Sequence, residues 1–184
     1  MSIRKHQLVT LLALSAGGIG AAMPAAAQSR QRALTYSFHV GSAHPLGAMD
    51  SLNDANVHWD IDFSYRLGDR TPTKGHFNAK LFVALNQFTA EPTVTFPHQR
   101  WLNISGNFQW VTNCSITGLQ CYLQAGGGIY KPKTGPSKAG VNAGFGFQVP
   151  VGTSFALEFG ADLHQIQTKP SIRFYTVQLG VLFH

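Results

Sequence analysis

The chain has 184 residues, of which 12% are charged, against roughly 25% in an ordinary soluble domain, while 11% are aromatic and 19 are glycine. Its 14 basic and 8 acidic residues give a formal charge of +6, too small and too dispersed for a nucleic-acid binder. Beyond Ile19 there is no run of 18 apolar residues, which leaves no stretch suited to a membrane-spanning helix.

Arg4 and Lys5 precede an apolar run from Leu8 to Ile19, and small residues follow up to Ala25-Ala26-Ala27. A charged segment, a short apolar segment and an A-x-A site in that order predict a secretory signal peptide over 1–27. Residues 28–184 would then form one domain with 12 basic and 8 acidic residues, a charge of +4. There is no cysteine near the cleavage site and no twin arginine, so neither a lipid anchor nor a twin-arginine route is expected.

Eight stretches then alternate in polarity over about the 9–11 residues that a barrel strand needs. They cover 34–42, 55–66, 75–87, 100–111, 120–130, 139–149, 154–165 and 173–183. In the second, Val57, Trp59, Ile61, Phe63 and Tyr65 alternate with His58, Asp60, Asp62, Ser64 and Arg66. In the third, Phe77, Ala79, Leu81, Val83 and Leu85 alternate with His76, Asn78, Lys80, Phe82 and Ala84. The last sets Tyr175, Val177, Leu179, Val181 and Phe183 on one face, and the chain stops one residue later. An unpaired apolar edge there would invite aggregation, and pairing of strand eight with strand one removes it. Gly68-Asp69-Arg70-Thr71-Pro72 and Pro150-Val151-Gly152-Thr153 read as tight turns, whereas 43–54, 88–99, 131–138 and 166–172 read as looser loops. Tight turns on the periplasmic side and looser loops outside are the usual asymmetry of membrane barrels. Tyr36, Tyr65, Phe77, Trp110, Phe147, Phe155 and Phe183 fall at the periplasmic ends on the outward face, as an interfacial girdle.

A secreted lipocalin-like barrel has the same strand count with its faces exchanged. Its water-facing side would carry about 25–35% Lys, Arg, Asp and Glu. Here the polar faces are mostly Asn, Gln, Ser, Thr and Gly, which suits a crowded interior. The expected fold is therefore an all-β, eight-stranded antiparallel up-and-down transmembrane β-barrel.

"NVHWDIDFSYRLGDR", "LNQFTAEP", "LEFGADLHQIQT" and the closing "VQLGVLFH" resemble the small Gram-negative outer-membrane barrels of the OmpA-like and OmpW-like group. The resemblance covers residues 28–184. It implies residence in the outer membrane, contact with outer-membrane lipid including lipopolysaccharide, and delivery by the barrel-assembly machinery, which reads the last strand. That strand usually ends in an aromatic residue, and here Phe183 is penultimate. A structural or surface-interaction role, a monomer, no cofactor and no nucleic acid are expected. With strand eight closing the chain, no peptidoglycan-binding domain is expected either. The alternatives are passage of small apolar solutes through a lateral opening, and a lipid A-modifying enzyme.

Eight strands leave an interior that side chains fill, so an open pore is not expected. Inward Phe82, Tyr122, Gln124 and Tyr130 supply bulk, while Gly144, Gly146 and Gly160 make room for it. Asp60, Asp62, Arg66, Lys80, Glu158 and Asp162 share the inward face, so an interior charge network is expected, with Lys80 pairing an acid. Catalysis has little support. Ser42 and His44 are close in sequence, and His98 and His164 fall near the outer ends. The compact His-x-Ser-Asn pattern of barrel deacylases is absent, and no acid has a claim to orient a base. His39, His58 and His76 share the inward parity, but at different depths and without zinc-motif spacing, so no metal site is expected.

Lys131, Lys133, Lys138, Lys169 and Arg173, with Arg100, gather at the extracellular end. They would attract phosphorylated lipopolysaccharide heads, or else form an ordinary solvated charge run. Cys114 and Cys121 flank "SITGLQ" between strands four and five. In an oxidising compartment an even pair across a hairpin predicts a disulfide; the alternative is two buried thiols. A metal reading is poorly supported, with six residues between them and no nearby His.

Overall fold

Alternating polarity makes each stretch a two-faced strand, and the two kinds of face must go to different solvents. The computed structural model describes residues 34–50, 53–71, 75–90, 99–116 and 118–184. The signal peptide expected over 1–27, and His98, lie outside them. The strands are β1 Leu34–Leu46, β2 Asn53–Thr71, β3 Gly75–Ala90, β4 Gln99–Asn113, β5 Gln120–Pro132, β6 Lys138–Val151, β7 Phe155–Ile166 and β8 Ile172–Phe183. Each pairs antiparallel with the next, and β8 pairs with β1 to close the barrel. The closing ladder runs from Tyr36↔Phe183 to Leu46↔Arg173, so the apolar last strand has no free edge.

The apolar faces point out. Phe108, Phe145, Ile129, Leu81, Phe38 and Val177 are all exposed, whereas Asp60, Asp62, Lys80, Asn86, Gln109 and Glu158 are buried. That inversion identifies a transmembrane barrel and overturns the lipocalin-like alternative, which would bury the apolar set. The expected girdle residues Tyr36, Tyr65, Phe77, Trp110, Phe147, Phe155 and Phe183 are all exposed. Tyr36 stacks on Phe183 across the closing ladder, with ring centroids 5.1 Å apart.

The observed strands outrun their sequence limits. β1 continues to Leu46 through Pro45, because pairing with β8 holds it extended. β2 begins at Asn53 and ends at Thr71, passing Gly68 at φ 80° within a register shift between Leu67 and Thr71. The tight turn expected at 68–72 is thus corrected to a bulge followed by residues 72–74, which lie outside the described set. The turn expected at 150–153 is shifted to 152–154, since Pro150 and Val151 pair with β7, and Gly152 makes it with φ 74°.

The two ends differ. At the turn end, where β1 begins and β8 finishes, Cys114 and Cys121 form a disulfide with Cα atoms 5.4 Å apart. The Cys114 N–H donates to the Leu119 carbonyl inside it. At the loop end the β1–β2 ladder stops at Ala43↔Asn56, three residues short of the end of β1 and the start of β2. A short 3-10 turn, Gly47–Met49, bridges this splay and tucks Met49 into the barrel mouth.

Candidate functional site

The lumen holds two stacked layers. The deeper one is polar. Asp60 on β2 sits between His39 and His58: Nδ1 of His39 lies 2.5 Å from its Oδ1, and Nε2 of His58 lies 2.7 Å from its Oδ2. Nδ1 of His58 faces the Asn86 side-chain amide at 2.8 Å. The Lys80 ammonium is 2.5 Å from Asp62 and 3.8 Å from Glu158, and it donates to Gln124 at 3.3 Å. Ser37 donates to Asp62 at 3.3 Å, and Gln148 to Glu158 at 3.2 Å. Asp162 accepts from Gln124 at 2.6 Å and from Gln178 at 3.2 Å. Each buried carboxylate therefore has a cation or a donor, as burial requires. Gly146 and Gly160 provide space, since the Tyr122 hydroxyl stands where a Cβ of either would be.

The inward charges fall into separate groups. Lys80 meets Asp62 and Glu158, Asp60 is held by histidines, and Asp162 by amides. Arg66 lies opposite Asn78, one inward step nearer the turn end than Ser64↔Lys80. His39 and His58, expected at different depths, converge on Asp60, because the strand register offsets their positions by one step. His76 lies apart, opposite Val111 at the turn end. His39, Asp60 and Asp62 each present a ligand atom within 4.8 Å of the others, a juxtaposition that parity alone does not reveal. The Lys80 ammonium already occupies the Asp62 side of that group.

The second layer, at the loop end, is apolar. Ala43, Met49, Phe88, Trp101, Tyr130, Ile166 and Phe174 form one buried cluster across the mouth. Phe174 is edge-on to Phe88 at 5.3 Å and stacks on His164 at 4.6 Å. The Tyr130 hydroxyl meets Nδ1 of His164 at 3.0 Å, which gives that nitrogen a partner within the apolar layer.

Outside this stopper lies the rim. Arg100, Lys131, Lys133, Lys169 and Arg173 are exposed and Lys138 is half-buried. Lys131 donates to the Gly135 carbonyl at 2.8 Å, and the Lys133 N–H donates to the Arg100 carbonyl at 2.9 Å. The Gln167 N–H donates to the Ala139 carbonyl at 2.9 Å, placing the β7–β8 connection against the start of β6. The cations thus form one arc from β4 to β8, while Asp50 lies in the β1–β2 connection and Asp54 at the start of β2. Ser42 and His44 meet, Oγ to Nε2 at 2.8 Å, on the outward face of β1. His44 stacks on Tyr175, and among the described residues no carboxylate is bonded to it.

The sequence matches no protein-family model and no curated protein. The fold is similar to Neisserial surface protein A, with a TM-score of 0.62 at 11% identity over 83% of this chain and 97% of that one. It is also similar to outer membrane protein OprG from Pseudomonas aeruginosa, with a TM-score of 0.55 at 11% identity over 84% and 98%. The outer membrane enzyme PagL gives 0.52 at 10% identity over 82% and 99%. The chain thus has the fold of the small outer-membrane barrels, a fold that carries a surface protein as well as an enzyme.

Proposed function

We propose that this protein is a sealed barrel of the outer membrane that acts through its surface, not its lumen. Its turn end faces the periplasm and its loop end the exterior, where the basic arc engages the phosphates of lipopolysaccharide. The observation that carries this reading is the double closure of the lumen. Any solute passing through would have to displace the aromatic stopper and then break the buried Lys80–Asp62 and His39–Asp60 pairs. Catalysis is not part of the reading, because among the described residues no carboxylate is bonded to the imidazole of the Ser42–His44 pair to hold it as a base. No cofactor is required. The partners are outer-membrane lipid and, during biogenesis, the assembly machinery; the working form is a monomer.

Purified protein reconstituted in planar bilayers tests the reading. No discrete conductance steps are expected, either from the natural chain or from Phe88→Ala/Phe174→Ala, since the polar layer remains beneath the opened stopper. Stepwise conductance by the natural chain would overturn it.

A further inference from the structure

We propose that the loop end of the β8–β1 wall is a recognition site for one phosphorylated sugar unit of an outer-leaflet glycolipid; the proposal deepens, and rests on, the surface role above.

The argument starts from register. Outward positions on β1 and β8 lie side by side as Val40↔Leu179, Ser42↔Val177, His44↔Tyr175 and Leu46↔Arg173. Followed toward the loop end, this column is first aliphatic, then carries a hydroxyl, an imidazole and a phenol, and then a guanidinium. That order matches an amphiphile anchored by its acyl chains, with a sugar above them and a phosphate at the top. The His44 and Tyr175 rings lie 4.7 Å apart and only 7° from parallel, and the Ser42–His44 bond at 2.8 Å fixes the imidazole. Aromatic side chains with one wet edge suit the interface, where an apolar ring face covers the C–H face of a sugar. Arg173 stands one step further out and is exposed, and its planar fork suits a phosphate. Lys169, also exposed, supplies a second cation from the β7–β8 connection.

Two features make the site local. The β1–β2 ladder ends at Ala43↔Asn56, so His44 to Leu46 have no β2 partner and this side of the wall is open at headgroup level. The rim acid Asp50 belongs to that same β1–β2 connection, so the cations of this wall come from β8 and the β7–β8 connection. The cations on the β4–β5 wall have no such platform. Beneath Lys131 on the outward face of β5 stand Ile129 and Gly127, and Lys131 is already committed to the Gly135 carbonyl.

Full-length protein in phosphatidylcholine nanodiscs, titrated with bis-phosphorylated lipid A, with dephosphorylated lipid A and with phosphatidylglycerol, tests the assignment. Folding of every variant is checked by its far-ultraviolet strand signal. The natural chain is expected to prefer phosphorylated lipid A about tenfold over either alternative, the order expected of a charge-assisted bond. Arg173→Gln and Tyr175→Leu should each lose about tenfold in affinity, while Tyr175→Phe, which keeps the platform, and the control Arg100→Gln/Lys131→Gln should stay within about twofold. Loss in the control equal to that in Arg173→Gln overturns the site but leaves the surface reading standing. Equal binding of phosphatidylglycerol also overturns it, since a general anionic surface would then suffice. Absence of any lipid A binding by the natural chain removes the basic-rim reading together with this one.

Discussion

Lys80 sets the electrical balance of the lumen. Its ammonium stands between Asp62 at 2.5 Å and Glu158 at 3.8 Å, in a layer with two further buried carboxylates, Asp60 and Asp162. Removing one partner of a buried pair strands the other charge, so Lys80→Met should destabilise the barrel by about 3–5 kcal/mol. Lys80→Met/Asp62→Leu, which removes both partners, should recover much of that loss. Urea unfolding in lipid vesicles measures both. That Lys80 points inward with acids was legible from strand parity alone. Which acid it meets was not, because partnership depends on the stagger of strands that parity does not report. The same blindness applies to His39 and His58, which share a face by parity but share Asp60 only through the β1–β2 register. Ser42 and His44 were visible as near neighbours, yet only the closed barrel shows Tyr175 stacked behind the imidazole.

At the scale of the strand, eight elements and both faces were readable from alternation, since inward and outward residues answer to different solvents. Their limits were not. Pro45, Gly68 and Pro132 punctuate a sequence, but each belongs to a strand here, the two prolines in register with a neighbouring strand and Gly68 within a bulge. The face assignment carries a direct prediction. Leu81 is mid-strand and 47% exposed, so Leu81→Arg should cost roughly 2–4 kcal/mol by placing a charge in hydrocarbon. Asn107→Arg, on the buried face, should act through packing and show no dependence on bilayer thickness. Unfolding in vesicles of two acyl lengths separates these outcomes. The β4–β5 connection carries another. The Cys114–Cys121 bond joins residues seven apart in sequence, so Cys114→Ser/Cys121→Ser should lose about 2–3 kcal/mol at most. Thiol labelling of the oxidised natural chain should find no free thiol.

For the whole molecule, the arrangement is a polar lumen inside an apolar wall, with an aromatic stopper at one end and a disulfide-tied turn at the other. In the proposed surface role, the working part is what the closed cylinder displays, a basic arc on one side of its loop end and acids on the other. Closure by the eleven β1–β8 pairs also means that the wall has no first strand. β1 begins and β8 finishes at the same end, with Tyr36 directly opposite Phe183. Joining them by a short linker and opening the chain at 152–154 would retain every ladder while presenting the strands in a rotated order. Architecture and order of synthesis are thus separable in this barrel. A rotated chain would place "VQLGVLFH" in the interior of the sequence, so that the strand's role in the wall could be told apart from the reading proposed for it during biogenesis.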